Sequence, residues 1–124
     1  MTKEEFINFI SEKYNVVADY PFDDINTPVF RHQDNRKWFA IIMTVKKRKL
    51  RINSDEYVNI VNLKCAQEII DSMLIENGIF PAYHMSKKHW ISVMLNDTVN
   101  SDTVRWLTSV SYDLTSKKHK TEKA

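Results

Sequence analysis

Apolar residues recur at helical spacing in three stretches of the chain, and the stretches between them carry strand-like patterns. In residues 2–14, Phe6, Phe9, Ile10 and Tyr14 share one helical face, and Thr2 with Glu5 three positions on is a capping-box signature. DYPFDDINTP (19–28) reads as irregular, punctuated by Pro21 and Pro28. VFRH (29–32) and KWFAIIMTV (37–45) read as strands, with Asp34-Asn35 at the centre of a tight turn because both residues tolerate positive φ. In the second strand Phe39, Ile41, Met43 and Val45 alternate with Trp38, Ala40, Ile42 and Thr44; neither set is strongly polar, which predicts a central strand. KKRKLRINSDE (46–56) reads as a long polar connection, and YVNIVNLKC (57–65) resumes the sheet. Ile69, Ile70, Met73 and Leu74 then predict a second helix, with Gly78 placed to end it. PAYH (81–84) and HWISVML (89–95) give two more strands, and Ser101 caps a last helix lined by Val104, Leu107, Ser111 and Leu114. The order α-β-β-β-α-β-β-α predicts an α+β fold, an antiparallel sheet covered by helices.

Composition narrows the class. The chain has 124 residues, 43% hydrophobic and 27% charged, which fits one globular domain over residues 1–115 followed by a flexible basic tail at 116–124. No apolar run approaches the roughly 18–20 residues of a membrane span, and the acidic, helix-patterned start does not read as a signal peptide. Cys65 stands alone, which excludes an internal disulfide and sets cytoplasm as the expected compartment. Gly78 is the single glycine, so Gly-rich phosphate loops are excluded.

Charge adds more through its distribution than through its sum. Residues 46–51 carry +5 and residues 117–124 carry +3; taking both from the overall +2 leaves −6 for the rest of the chain. Lys46, Lys47, Arg48, Lys49 and Arg51 between two strands predict a projecting basic wing able to neutralise phosphates, beside the plainer reading of a solvated loop. Leu50, the one apolar residue in that run, offers little for reading bases, so such a wing would hold backbone without specifying sequence.

Residues 81–93, PAYHMSKKHWISV, form the densest cluster of chemical groups. A turn centred on Ser86-Lys87 would place His84 opposite His89 and Tyr83 opposite Trp90. Paired histidines could share a transition metal if Cys65, His32 or a carboxylate supplied further ligands, but HExxH and CxxC patterns are absent. The plainer reading is a hairpin stabilised by its aromatic pair, with Lys87 and Lys88 at its tip. Cys65 lies next to Lys64, which could lower a thiol pKa, yet a lone cysteine at a strand–helix junction reads as a small core residue. No serine sits in a nucleophile elbow, and Asp23-Asp24 has no evident partner. The chain reads as non-enzymatic and without a cofactor.

PFDD (21–24), VFRH (29–32), KWFAII (37–42), VNLKC (61–65), PAYHM (81–85), KKHWISV (87–93) and SYDL (111–114), in this order, resemble the YjbR/MmcQ family of small bacterial proteins. The resemblance covers residues 1–115. It implies a two-layer α/β sandwich of order α-β(3)-α-β(2)-α, similar to type III secretion chaperones, and duplex-DNA binding through a pair of hairpin wings. On this chain the wings are the 46–56 connection and the 85–89 hairpin, with Lys46, Lys47, Arg48, Lys49 and Arg51 on phosphates and Lys87, Lys88, Arg36 and Lys37 assisting. Two departures stand out: Ala66-Gln67 replaces an Asp-Pro after the cysteine, affecting how the second helix is capped, and Ser86 replaces an Asn in the turn. The alternatives are a protein-interaction or chaperone-like module using the sheet face or a helix groove, and, second, a metal or small-ligand site near His84 and His89.

Overall fold

A computed structural model describes residues 1–117. Its elements are α1 (Lys3–Tyr14), β1 (Val29–Arg31), β2 (Trp38–Lys46), a 3-10 turn (Lys47–Leu50), β3 (Tyr57–Lys64), α2 (Gln67–Met73), β4 (Ile79–Pro81), β5 (Trp90–Met94) and α3 (Ser101–Thr115). The five strands form one antiparallel sheet in the order β1-β2-β3-β5-β4, which places β2 inside the sheet. The fold is the α+β arrangement expected from the order of elements.

Local chemistry sets the helix ends. Thr2 accepts from the Glu5 N–H, and the Glu5 carboxylate accepts from the Thr2 N–H at 2.8 Å, so the capping box closes in both directions. Asn15, at φ 54, ends α1 in the left-handed region that asparagine tolerates. Asn100, rather than Ser101, caps α3: its side-chain oxygen accepts from the Asp102 N–H at 2.8 Å, and Ser101 becomes the first helical residue. Ala66 caps α2 without a side-chain acceptor, and that helix runs only seven residues.

Phe6 and Ile10 of α1, Ile70 of α2, and Val104 and Leu107 of α3 enter one core with Ile42, Val61, Leu63, Ile91 and Val93 from a single face of the sheet. The β1–β2 register shifts at Phe30/Arg31: Phe30 pairs with Ala40 and Arg31 with Trp38, leaving Phe39 as the extra residue of a β-bulge. Because of the bulge, Phe39 joins the helix-side core together with its neighbour Ala40. Buried Ser111 of α3 seals this junction, donating to the Phe39 carbonyl and accepting from the Lys64 N–H at 2.9 Å.

The other face of the sheet carries Val45, Val58, Ile60 and Met94, with Met43 and Phe80 packed beside them. No helix of the main core covers them. The chain covers them with two irregular segments instead. Leu50, 5% exposed, drops in from the 3-10 turn, and Ile52 and Tyr83 pack against the same cluster. Burying Leu50 stabilises this arrangement by about 1.5–3 kcal/mol. Residues 46–56 therefore fold back onto the sheet, which corrects the expectation of a freely projecting polar wing.

Two turns and one strand also differ from expectation. In the β1–β2 hairpin the positive φ falls on Arg36 (φ 65), not on Asp34-Asn35, and the Arg36 N–H closes the turn on the His32 carbonyl. Asn35 contributes through its side chain, donating to the Thr115 carbonyl and accepting from the Lys37 N–H. The strand expected at 81–84 lies earlier, at Ile79–Pro81. Gly78 does not end α2, whose C-cap is Leu74; it makes the turn into β4 at φ +89, where an added Cβ would lie 2.8 Å from Val99 Cγ2. Gly78→Ala is expected to cost about 1–3 kcal/mol, from left-handed strain plus overpacking, as read by urea denaturation.

Candidate functional site

The nine basic residues expected to contact phosphate separate into groups once the chain is folded. Lys46 ends β2 opposite exposed Tyr57, and its ammonium sits 5.9 Å from the centroid of that ring. Lys47 pairs with Glu56 at 3.1 Å and Arg48 with Asp55 at 2.8 Å, so two of the five wing cations meet acids from the end of the same connection. Such surface pairs contribute only about 0–1 kcal/mol, too little to hold the loop, but each removes a net positive charge from the field a polyanion would meet. Lys49 and Arg51 are exposed and make no ion pair among the described residues. Arg51 takes φ 66, which turns the chain out of the 3-10 helix.

Lys49 and Arg51 line one shallow groove with Lys87, over a floor that includes Leu50, Phe80 and Tyr83. The 82–89 segment is held there by a buried polar set. The Tyr83 N–H donates to Ser92 Oγ at 2.9 Å, Ser92 Oγ donates to Asn62 Oδ1, and Asn62 Nδ2 donates to the Tyr83 carbonyl at 2.9 Å. Asn62 and Ser92 are fully buried, so losing either partner would strand polar groups at a cost of about 1–3 kcal/mol each. His84, at φ 60, turns the chain, and Lys87 Nζ donates back to the Ala82 carbonyl at 3.0 Å. Lys88 is exposed in the same segment.

This arrangement corrects the expected 85–89 hairpin. The β4–β5 ladder pairs Pro81 with Ile91, one residue out of the register that would set Tyr83 against Trp90 and His84 against His89. Side chains of Asn62 and Ser92 take the Tyr83 backbone groups, and the Ser86 carbonyl accepts from both His89 and Trp90 N–H in a helical-type turn. Tyr83 instead lies against His84, ring centroids 4.0 Å apart. Among the described residues no group of three or more His, Cys, Asp or Glu is placed to hold a metal ion. Cys65 is buried in the main core, and burial pushes its thiol up to about 11, the opposite of the activation that neighbouring Lys64 could have given.

Arg36 and Lys37 do not join the groove. They sit at the opposite end of β2, a nine-residue strand spanning about 26 Å. The tail lysines beyond Lys117 lie outside the described residues.

A second concavity, of about 590 Å³, lies beside His32–Asp34 of the β1–β2 hairpin. Tyr14, His32, Asp34, Tyr112 and Asp113 line it, and spacing gave no sign that they would meet. Tyr14 and Tyr112 stack at 4.4 Å, and the His32 ring lies 4.3 Å from Tyr112. His32 is 5% exposed, and its Nε2 reaches the Tyr112 carbonyl at 3.0 Å and Thr115 Oγ1 at 2.8 Å. Thr115 Oγ1 also reaches the Ser111 carbonyl at 2.8 Å, so with Nε2 protonated every one of these contacts has a donor. Burial lowers the His32 pKa below 6.5, outweighing the Tyr112 carbonyl, Asp34 and Asp113, which pull upward. Burial followed by the Asp113 charge raises Tyr14 to about 12.

The whole is a small antiparallel α+β domain with its helices on one face of the sheet and two irregular segments on the other. The chain belongs to the YjbR family, whose model matches residues 11–114. It is 37% identical to the uncharacterized protein YyaQ of Bacillus subtilis (strain 168) over 116 residues, covering 93% of this chain and 98% of that one. A crystal structure of a Pseudomonas syringae protein is similar at TM-score 0.91 and 38% identity, over 94% of this chain and 100% of that one. The Deinococcus radiodurans protein DR2400, with a DUF419 domain, is similar at TM-score 0.71 and 25% identity, over 95% and 80% of the two chains. Among the described residues no helix is long and apolar enough to cross a membrane.

The His32 environment makes a pH prediction. The unfolded chain takes up the His32 proton near pH 6.5, while the folded chain resists it until lower pH, so stability falls as pH drops through that window. The stability advantage of the native protein over His32→Gln, from urea titrations, should be full above about pH 6.5 and shrink toward pH 5.

Proposed function

We propose that this protein binds duplex nucleic acid along its phosphate backbone, with weak sequence preference and without catalysis, through the groove bordered by Lys49, Arg51 and Lys87. The supporting observation is that cations from two segments far apart in the chain line the same groove. Lys46 and exposed Lys88 extend the field from the same two segments. Lys47 and Arg48 contribute less because Glu56 and Asp55 already hold them. Leu50 is buried and unavailable to base edges, which fits phosphate contact more than sequence readout. The cytoplasm is the compartment this reading implies, in keeping with the lone thiol of Cys65.

One observation favours a protein-interaction reading as the second choice. The connection between α1 and β1 exposes Val17 (85%), Tyr20, Phe22 and Ile25 (82%) close together in sequence.

Fluorescence anisotropy of a labelled duplex across a salt series separates the two. Each phosphate contact adds about 0.9 to the log–log slope of affinity against salt. Changing Lys49, Arg51 and Lys87 together to Gln should lower the slope by about 2–3, whereas changing Lys47 and Arg48 should lower it by less than about 1. Failure of the folded protein to bind even at low salt would overturn the nucleic-acid reading and leave the apolar 17–25 connection as the surface to pursue.

A further inference from the structure

The cleft at the far end of β2 has the opposite electrical character to the basic groove. It forms where three chain segments meet: the end of α1 at Tyr14 and Asn15, the β1–β2 hairpin at His32–Asp34, and the end of α3 at Tyr112–Ser116. Two helices thus direct their C-terminal ends, which carry the negative pole of the helix dipole, at one cavity. The last turn of α3 contains no basic residue to offset that pole, while that of α1 carries Lys13. Asp34 and Asp113 add two carboxylates, against Lys117 as the one cationic residue in the lining. The wall is aromatic: Tyr14 stacks on Tyr112, and Phe39 meets Tyr112 edge-on at 5.0 Å from behind. The Tyr14 hydroxyl is buried with no hydrogen-bonding partner among the described residues.

Carboxylates, helix C-termini and stacked phenol rings share one preference. Each favours a positive charge, and the rings also pack against an apolar body. At about 590 Å³ the cavity falls within the size range of small-molecule sites. Inorganic anions and nucleotides are disfavoured here by the same field. We infer that this cleft is a binding site for a small organic cation, an amine or amidine attached to a planar or aliphatic body, with Asp113 and Asp34 receiving the charge and the Tyr14–Tyr112 wall receiving the body. The directions of the neighbouring charge effects agree with this: Asp113 acts on Tyr14, and Asp34 and Asp113 both act on His32. This inference does not depend on the nucleic-acid reading.

The test uses three probes of one shape and different charge: benzylamine, benzyl alcohol and benzoate. Each is titrated into the full-length ¹⁵N-labelled protein and followed by amide shifts. Benzylamine should give saturable shifts at His32–Asp34 and Tyr112–Ser116, benzyl alcohol should bind about tenfold more weakly, and benzoate should not bind there. Asp113→Asn alters an exposed residue and should weaken benzylamine about tenfold with the rest of the spectrum unchanged, whereas Asp24→Asn, outside the cleft lining, should leave it unaltered. Absence of saturation at the cleft, equal binding of the alcohol, or indifference to Asp113→Asn would each overturn the assignment.

Discussion

The arrangement of this molecule depends on covering the second face of its sheet. Helices α1, α2 and α3 all pack on one side, and Val45, Val58, Ile60 and Met94 face the other. A β-sheet with apolar residues on both faces must bury both, or leave an aggregation-prone surface. Here the second face is closed by Leu50 from the 3-10 turn and by Tyr83 from the segment after β4. Leu50 acts through apolar burial, while Tyr83 is fixed largely by hydrogen bonds to buried Asn62 and Ser92. The two contributions are of similar size, about 1–3 kcal/mol each, so neither segment is held by the other alone.

That solution for packing also sets the charge distribution. Folding residues 46–56 back onto the sheet carries Lys49 and Arg51 to Lys87, and the same fold pairs Lys47 with Glu56 and Arg48 with Asp55. What projects is therefore smaller and more sharply placed than a +5 wing. At the other end of β2, the β1–β2 hairpin and the end of α3 bring Asp34 and Asp113 around the stacked Tyr14 and Tyr112. The length of β2, about 26 Å, exceeds the Debye length of about 8 Å at physiological salt, so the fields at its two ends act independently. One small domain can thus present a basic groove and an anionic cleft without either cancelling the other.

Much of the scaffold could be read along the chain because its causes are local. The Thr2–Glu5 capping box, the two-sided apolar strand at β2 and the order of elements each depend on neighbours within a few residues. The apolar residues on both sides of β2 predict a central strand, and in the fold its second side is covered by segments other than the helices. Leu50 was the residue able to do so, yet within KKRKLR it looked like an interruption in a charged run. Acids Asp55 and Glu56 were equally visible, and their pairing with Arg48 and Lys47 becomes evident only once the connection folds back. The register after β4 could not be foreseen, because it rests on Asn62 and Ser92, side chains on two other strands. The cleft was least legible of all: His32 meets Tyr112 and Thr115 across separations of 80 and 83 residues.

The placement of Leu50 is the most direct test, since both the second core and the basic groove follow from it. Methyl-labelled protein in a NOESY experiment should show cross-peaks linking the Leu50 methyls to the Val45, Val58, Ile60 and Met94 cluster, with Leu50 shifts dispersed by the ring of Tyr83. Leu50 methyls at random-coil shifts, with no long-range cross-peaks, would mean that residues 46–56 project freely. The second face would then be uncovered, and the convergence of Lys49, Arg51 and Lys87 would not exist in solution.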